Sequence, residues 1–339
     1  MSEMSEMSKP KVAVVTGASA GVGRATAVAL ARHGWDVALL ARGQAGLDGA
    51  VADVEAEGRR ALALPTDVAD FGQVQHAAQE AEAHLGPIDV WINDAMTTAF
   101  APTWAVEPAD FQRAIEVTFL GQVWGTRVAL DVMRPRDHGT IINIGSALAF
   151  IGIPLQSAYC ASKFACRGFF ESVRAEIIHE GSNVRMSMVH LPAMNTPQFD
   201  WCETTLDRHP QPVPPIYEPE VAAARIIKVI GDGRRDTILG SWNKLLVAAG
   251  KLAPGLGNQY AAIGAWDTQL TDEHVAPDRP SNLHHPVDAE QDRGPRGSFD
   301  DRSGGFWDPS FLKSFPLTAK TFARASGRTL REKYRRYRR

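Results

Sequence analysis

The amino-acid sequence predicts an α/β protein in which a doubly wound, parallel sheet of seven strands carries helices on both of its faces. Between residues 11 and 240, short apolar or β-branched runs alternate with longer helical patterns, an order typical of a parallel sheet. The apolar runs also lack a polar/apolar alternation, as expected when helices cover both faces. We therefore expect right-handed crossovers and a ligand crevice at the carboxyl ends of the strands.

Seven strands and six helices follow from these patterns. The predicted strands are Val12–Thr16, Asp36–Leu40, Ala61–Pro65, Ile88–Ile92, Thr140–Ile144, Arg185–His190 and Thr237–Leu239. The predicted helices are Val22–His33, Gln44–Glu57, Phe71–His84, Ala109–Met133, Ala158–Glu180 and Pro219–Ile230. Gly34, Gly58 and Gly86 are suitable helix C-caps, and Asp70 is a suitable N-cap.

The chain of 339 residues divides into four parts by the texture of its sequence. Residues 1–10 are polar and repeat Met-Ser-Glu, so they are expected to be a disordered lead, and they lack the apolar region of a signal peptide. Residues 11–240 are expected to form the α/β unit that carries the binding and catalytic site, and residues 241–270 continue that domain as helices. Residues 271–339 are a loop-rich extension that ends in a basic tail.

Composition excludes several classes of function. The net charge of −3 is too small to imply nucleic acid or a generally acidic partner. The three cysteines are an odd number without paired spacing, which argues against a disulfide framework and against a zinc site, so no metal is expected. Reduced thiols fit the cytoplasm, and no stretch reaches the roughly 18 apolar residues that a membrane span needs.

A glycine-rich turn follows the first predicted strand, at residues 16–24, with the spacing GxxxGxG. Gly17 permits a tight turn, Gly21 lets the backbone approach a pyrophosphate, and Gly23 lets the helix pack closely on the sheet. Such a turn at a strand-to-helix junction is typical of a Rossmann-type dinucleotide site, although a glycine string also occurs in plain tight turns. The residues predicted to contact the cofactor here are Gly17, Ser19, Ala20, Gly21, Val22 and Gly23.

The end of the second strand indicates which cofactor binds. An acidic residue there would bind the ribose 2′-hydroxyl and repel a 2′-phosphate, but this strand ends in Ala41-Arg42. Arg42 can pair with a phosphate through its planar guanidinium, so NADP(H) is preferred over NAD(H). The alternative is a solvated surface arginine. Asp67, after the third strand, is placed to accept a hydrogen bond from adenine, and its alternative role is a helix N-cap.

Tyr159 and Lys163 are the predicted catalytic pair. Their spacing of four residues puts them on one face of a helix, and a nearby ammonium favours the phenolate of a tyrosine. Ser146, after the fifth strand, is placed to hold a substrate oxygen as charge develops on it. Each residue alone has an ordinary structural reading, as a helix face or a turn residue, but together at strand ends they indicate hydride transfer to or from an alcohol or carbonyl.

These motifs resemble the short-chain dehydrogenase/reductase family over residues 11–240, about two thirds of the chain. The matching pieces are Thr16–Gly23, Asp67, Asn93-Asp94-Ala95, Ser146, Tyr159-x-x-x-Lys163 and Pro192 to Thr196. The resemblance implies that Tyr159 is the acid/base, that Lys163 also holds the nicotinamide ribose, and that Ser146 orients the substrate. It implies further cofactor contacts from Val68, Asn93, Ala95, Pro192 and Thr196. It also implies a homodimer or homotetramer paired through the two long helices Ala109–Met133 and Ala158–Glu180.

The sequence departs from the family pattern at four positions, and the first is Asp94, which replaces the second asparagine of the turn after the fourth strand. Met96 and Ala193 replace the glycines of two family turns. More important, Thr118 stands where the family has the helix asparagine that positions a water in a proton relay. Threonine has one hydroxyl and no amide, so the hypothesis is that Thr118 or a bound water substitutes, with lowered activity. The alternative function is therefore a cofactor-binding regulatory or scaffold protein with weakened catalysis.

Two further regions bear on substrate and partners. The segments expected around the substrate, at residues 96–104, 148–157 and 194–201, are rich in apolar side chains and suit a small-molecule substrate that is hydrophobic. The alternative is that these side chains pack a lid or a subunit contact. The apolar residues concerned are Phe100, Trp104, Leu148, Phe150, Ile151, Ile153, Phe199 and Trp201. The basic tail at residues 324–339 is a solvated end or a weak contact with an anionic membrane surface, since no nucleic-acid recognition fold accompanies it.

Overall fold

The structure, a computed structural model, describes residues 10–252, 261–276 and 278–305. It confirms the predicted fold class. Seven strands form one sheet in the spatial order β3-β2-β1-β4-β5-β6-β7, and every neighbouring pair is parallel. The strands are β1 Lys11–Thr16, β2 Trp35–Ala41, β3 Ala61–Pro65, β4 Ile88–Asn93, β5 Thr140–Ser146, β6 Arg185–Leu191 and β7 Asp236–Ile238.

Eight helices of eight or more residues lie in the part of the chain that the structure describes. They are α1 Gly21–Arg32, α2 Gln44–Ala56, α3 Phe71–His84, α4 Pro108–Ile115, α5 Gly121–Met133, α6 Ser157–His179, α7 Pro219–Asp232 and α8 Ser241–Leu252. Asp70 caps α3 as predicted, because its side chain accepts a hydrogen bond from the Gln73 amide. None of the described helices is long and apolar enough to cross a membrane.

The core consists of two apolar layers, one on each face of the sheet. On one face, α1, α2 and α7 bury Leu30, Leu47 and Ile226 against strand residues. On the other face, α3, α5 and α6 bury side chains such as Val74 and Phe170. Because both faces are covered, the strands carry apolar side chains on both sides, which is why their sequences lack a polar/apolar alternation.

The prediction of one continuous helix over Ala109–Met133 is wrong in one respect. The structure divides it into α4 and α5, joined by one π-helical turn at Glu116–Leu120. Such a turn widens the helix and frees backbone groups for other partners. Here the Thr118 carbonyl accepts a hydrogen bond from the Cys166 thiol, 3.3 Å away, so the irregular turn is fixed by α6 behind it.

The C-terminal region lies against the α/β unit. Leu270–His274 pairs antiparallel with Arg208–Pro210, and Ser303–Gly304 pairs in parallel with Ile216–Tyr217. We call residues 278–305 the C-terminal strap, because they run back across the start of α1 and α2. Arg24 of α1 forms a salt bridge with Asp292 of the strap. The basic tail at residues 324–339 lies outside the described residues.

The junction of β4 and α5 is packed tightly enough to test. A methyl group at Gly125 would lie 2.0 Å from Asn93 Oδ1 and 2.8 Å from Trp91 Nε1. We expect Gly125→Ala to lower the free energy of unfolding by about 1–3 kcal/mol, the usual effect of overpacking a core. The measurement is urea unfolding followed by circular dichroism.

The matched control for this variant is Gly168→Ala. Gly168 is also inside a helix, but a methyl group there would meet nothing within 4 Å. It should stabilise the protein by roughly 0.5–1 kcal/mol, because alanine favours a helix interior over glycine. Equal effects of the two substitutions would contradict the packing described at Gly125.

Candidate active site

A cavity of about 1120 Å³ opens at the carboxyl ends of β1, β4, β5 and β6. This is where side chains after parallel strands meet. Its lining brings together most of the residues predicted from the sequence: Gly17, Ser19, Ala20, Gly21, Val22, Ala95, Ser146, Tyr159, Lys163, Pro192 and Thr196.

The glycine-rich turn has the backbone that its spacing predicts. Gly17 and Gly21 adopt positive φ angles of 71° and 57°, which side chains other than glycine rarely adopt. Gly23 lies beneath the turn, where a methyl group would come within 2.3 Å of the Gly17 carbonyl oxygen. The first turn of α1 carries no acidic residue, and Ala20 provides no side-chain cap. The amides at this helix start therefore fit the pyrophosphate of a dinucleotide.

Ser146, Tyr159 and Lys163 meet on the cavity wall. Ser146 ends β5, and its hydroxyl accepts a hydrogen bond from the Leu148 amide at 3.1 Å. A second hydrogen bond links Ser146 to Tyr159. Lys163 lies one helical turn after Tyr159, with its Nζ 5.6 Å from the centre of the tyrosine ring. A hydroxyl, a phenol and an ammonium thus face one space, which can hold an oxygen atom and exchange a proton with it.

The charge state of Tyr159 follows from its surroundings. Burial raises the pKa of Tyr159 above its usual value, while the Lys163 charge and the hydrogen bond to Ser146 act to lower it. The Lys163 ammonium is only 3% exposed and donates to the Ile144 carbonyl at 2.8 Å. Tyr159 is therefore a neutral phenol at neutral pH in this state, which suits proton donation to a substrate oxygen.

Thr118 is buried, and its hydroxyl makes two hydrogen bonds to one neighbouring residue. It donates to the Thr97 carbonyl at 2.7 Å and accepts from the Thr97 amide at 3.0 Å. A threonine hydroxyl has only one proton to donate, and that proton is engaged here. In this arrangement, Thr118 holds the segment after β4 in place beside the site.

Asp94 is a site residue that the sequence reasoning did not single out. It lines the cavity, and its carboxylate lies near Gly23. Burial raises the pKa of Asp94 to about 7, while the Lys163 charge and a hydrogen bond from the Gly23 backbone oppose that rise. The sequence could have pointed to Asp94, because an acidic residue stands there where the family has an asparagine.

Asn93 and Val68, predicted to contact the cofactor, lie away from the cavity lining. The Asn93 side chain accepts from Trp91 Nε1 and donates to Thr126 and Asn143 within a buried polar cluster. Val68 packs beneath Gly121 at the start of α5. In this structure, both side chains stabilise the sheet edge below the site.

Arg42 and Asp67 are covered by neighbouring chain. The Arg42 guanidinium donates to the carbonyls of residues 282, 283 and 284 in the C-terminal strap. Asp67 forms a salt bridge of 2.5 Å with Arg113, which also donates to the Leu283 carbonyl. Burial, and next the Arg113 charge, lower the pKa of Arg42. A phosphate would thus reach Arg42 only by sharing it with the strap or displacing it.

The remaining cavity wall is largely apolar. Seven of the eight predicted apolar residues line it, whereas Trp104 is 84% exposed elsewhere. Helix α8 adds Trp242, Leu245 and Leu246, which the sequence reasoning did not assign to the site. Among the described lining residues, Asp94 is the one acidic side chain and Lys163 the one basic side chain. The wall beyond Ser146, Tyr159 and Lys163 therefore suits an uncharged, apolar ligand.

Fold and site together define a Rossmann-type α/β protein with a Ser-Tyr-Lys group at the carboxyl edge of its sheet. The family model described as short chain dehydrogenase matches residues 11–204. The chain belongs to this family, and it is an oxidoreductase of that family.

Related sequences agree with this family. An uncharacterized oxidoreductase, YxnA, from Bacillus subtilis is 31% identical over 288 residues, which cover 84% of this chain and 81% of the relative. That match is longer than residues 1–240, so it takes in part of the C-terminal region. A 3-dehydrosphinganine reductase from Danio rerio is 34% identical over 191 residues, which cover 55% of this chain and 57% of the relative.

Two solved structures are similar as well. A short-chain dehydrogenase/reductase from Burkholderia phymatum, in complex with NAD, shares the fold with a TM-score of 0.68 at 22% identity, over 73% of this chain and 95% of its own. A metagenomic short-chain oxidoreductase in complex with NADP has a TM-score of 0.56 at 26% identity, over 68% of this chain and 95% of its own.

The buried carboxyl of Asp94 makes stability depend on pH. Because the folded-state pKa of about 7 lies above the unfolded value near 3.9, the folded state binds the proton more tightly. The free energy of unfolding should therefore fall as pH rises from about 4 to 7, by up to about 1.4 kcal/mol per pH unit. Asp94→Asn should lack this loss, so its stability advantage over the wild type should grow between pH 5 and pH 8.

The measurement is urea unfolding of the ligand-free protein at pH 5, 6, 7 and 8. Asp131→Asn, at an exposed position on α5, is the matched control and should show a difference from the wild type that stays constant with pH. An Asp94→Asn difference that is the same at pH 5 and pH 8 would show that the Asp94 carboxyl is not held protonated by burial.

Proposed function

We propose that this protein transfers hydride between NADP(H) and an alcohol or carbonyl group of a hydrophobic small molecule. The observation that carries the proposal is the meeting of Ser146, Tyr159 and Lys163 on the wall of one cavity, beside the glycine-rich turn. A protein that only bound a cofactor would have no need of a hydroxyl, a phenol and an ammonium facing the same space.

Each of the three side chains has a distinct role in carbonyl reduction. The nicotinamide, when bound, supplies the hydride. The Tyr159 phenol donates a proton to the substrate oxygen, and the Ser146 hydroxyl holds that oxygen as negative charge develops. The Lys163 charge stabilises the tyrosinate that remains, and by family resemblance its ammonium also holds the nicotinamide ribose. In alcohol oxidation the same groups act in reverse, and the positive charge of the oxidised nicotinamide favours the phenolate.

The dinucleotide would lie along the cavity from the glycine-rich turn to β6. The backbone at residues 17–22 would hold the pyrophosphate, with the amides of the α1 start directed at it. Thr196 contacts Gly21 closely, since a methyl group at Gly21 would lie 3.3 Å from its Cγ2. Thr196 therefore lies beside the pyrophosphate site, and by family resemblance Thr196 and Pro192 would also border the nicotinamide.

The proposed substrate is a ketone or alcohol on an apolar carbon chain. The cavity wall beyond Tyr159 is built from aromatic and aliphatic side chains of three separate segments and of α8. Two relatives are named as reductases, a 3-dehydrosphinganine reductase in Danio rerio and a 3-ketodihydrosphingosine reductase in Mus musculus. A panel of ketones with chains of increasing length would test this, with rates expected to rise with chain length.

The preference for NADP(H) over NAD(H) is supported by the end of β2. No acidic residue stands at positions 40–43, and Arg42 provides a cation there. One solved relative is described in complex with NADP and another in complex with NAD, so the family accommodates both forms and the choice depends on local residues.

A regulatory or scaffold protein with weakened catalysis is the second candidate function. Its support is the replacement of the family asparagine by Thr118, whose hydroxyl proton is engaged by Thr97. The discriminating observation is substrate-dependent oxidation of NADPH across a broad panel of ketones and aldehydes. Binding of NADPH without any such oxidation would favour the regulatory function.

We also propose a homodimer or homotetramer in the cytoplasm. The pairing helices would be α4, α5 and α6, the counterparts of the two long helices named from the family resemblance. Light scattering after gel filtration measures the oligomeric state.

The proposed cytoplasmic location is supported by the three cysteines, because Cys160, Cys166 and Cys202 are all free thiols.

Removing the Tyr159 hydroxyl should abolish proton transfer while leaving the fold intact. We expect Tyr159→Phe to lower kcat by about 10²–10⁴-fold, the usual contribution of a positioned acid or base. The dissociation constant of NADPH should stay within about twofold, because the phenol is not proposed to carry binding energy. The measurements are NADPH oxidation with a ketone substrate and NADPH fluorescence on binding.

Tyr217→Phe is the matched control, because Tyr217 also lines the cavity but lies on a different segment. This variant should keep most of the activity. Equal loss of activity in the two variants, or no loss in Tyr159→Phe, would contradict the role given to Tyr159.

Removing the Arg42 guanidinium tests the cofactor preference. We expect Arg42→Ala to raise the dissociation constant of NADPH by roughly 10–100-fold, the effect of losing a hydrogen bond to a charged group, and to change that of NADH little. Arg32→Ala is the control, since Arg32 is an exposed arginine at the end of α1 that pairs with Glu57. An unchanged dissociation constant for NADPH in Arg42→Ala would refute the proposed phosphate contact.

A further inference from the structure

The C-terminal strap brings an acidic residue, Asp288, to the start of α2. Two hydrogen bonds fix the main chain of the strap there. The Gly46 amide donates to the Asp288 carbonyl at 3.1 Å, and the Ala45 amide donates to the Ala289 carbonyl at 3.2 Å. Asp288 is 4% exposed. A buried carboxylate held this way has a defined position relative to β2 and its last residues.

The carboxylate of Asp288 occupies a space that two glycines leave open. A methyl group at Gly43 would lie 1.9 Å from Asp288 Oδ1, and one at Gly46 would lie 2.5 Å from Oδ2. The Gly46 position also adjoins Ser19 of the glycine-rich turn, since its methyl group would lie 2.8 Å from Ser19 Cβ. The carboxylate therefore sits between the end of β2 and the proposed pyrophosphate site.

Arg42 directly precedes Gly43, the residue against which the Asp288 carboxylate lies. The Asp288 charge acts to raise the pKa of Arg42, against the larger lowering effect of burial. The two groups are therefore close enough to interact electrostatically. One is the cation proposed to attract a 2′-phosphate, and the other is an anion that would repel it.

A simple helix-capping role does not account for the carboxylate. The amides of Ala45 and Gly46 already bind main-chain carbonyls of the strap, so these two free amides of the α2 start are satisfied without a side chain. An acidic residue at the end of β2 is the usual reader of the adenosine ribose in Rossmann-type sites. Here β2 ends in Ala41-Arg42-Gly43, and the acid comes from the far end of the chain.

We propose that Asp288 is a selectivity residue of the cofactor site. Its carboxylate repels the 2′-phosphate of NADP(H) and thereby reduces the preference for NADP(H) over NAD(H) that Arg42 provides. The inference rests on the dinucleotide site of the proposed function and is independent of the substrate. It makes the C-terminal strap part of cofactor recognition.

The test compares the dissociation constants of NADPH and NADH for the full chain, measured by nucleotide fluorescence and isothermal titration calorimetry. Asp288→Asn keeps the shape of the side chain and removes its charge. We expect it to lower the dissociation constant of NADPH by about tenfold, as removal of a like charge beside a phosphate does, and to change that of NADH by less than about threefold. Asp288→Ser, which also removes the charge, should shift the ratio in the same direction.

Asp292→Asn is the matched control. It also removes one carboxylate from the strap, but that carboxylate pairs with Arg24 of α1. If Asp288→Asn acted only by disordering the C-terminal strap, then Asp288→Asn and Asp292→Asn would change the binding of NADPH and NADH alike. That result would overturn the proposal. An unchanged ratio of the NADPH and NADH dissociation constants in both Asp288 variants would also overturn it.

The outcomes for the wild type separate this inference from the proposed function. A wild-type protein that binds neither NADPH nor NADH would overturn both. If the wild type binds both cofactors and neither Asp288 variant changes the ratio of their dissociation constants, only the role of Asp288 is overturned. Circular dichroism melting of each variant establishes that it is folded at the temperature of measurement.

Discussion

A buried ammonium is the constraint around which the site is arranged. Lys163 is almost fully removed from water, and an unpaired buried charge would cost several kcal/mol. Its Nζ donates to the Ile144 carbonyl, which is available because that carbonyl lies near the end of β5. The same charge acts on Tyr159 and Asp94. The position of α6 over β5 therefore provides the charge that opposes the effect of burial on the pKa of both groups.

This constraint also explains the packing behind the site. The Cys166 thiol, one turn after Lys163 on α6, donates to the Thr118 carbonyl in the π-helical turn. Thr118 in turn holds Thr97 by both of its backbone groups. A chain of short contacts thus connects α6, the helix opposite and the segment after β4. Thr118 thus holds that segment in place, and its one hydroxyl proton is engaged there.

Much of the fold and of the catalytic group was predictable from the sequence, because both depend on local spacing. Tyr159 and Lys163 are four residues apart on one helix, and Ser146 follows directly from a buried run, so their meeting at the sheet edge follows from topology. The π-helical turn was not predictable, since the residues that require it lie on α6. The strap was not predictable either, since Arg42 and Asn282 are 240 positions apart and no sequence period links them.

The strap also has a consequence for how the protein forms during synthesis. Its contacts join the last described part of the chain to α1 and α2, the first helices to leave the ribosome. The sheet from β1 to β6 can assemble while the chain is still growing, but the start of α2 receives its main-chain partners only after residue 289 has emerged. The Ser-Tyr-Lys wall, built from residues 144–163, therefore precedes the strap residues that cover Arg42 and the start of α2 in the order of synthesis.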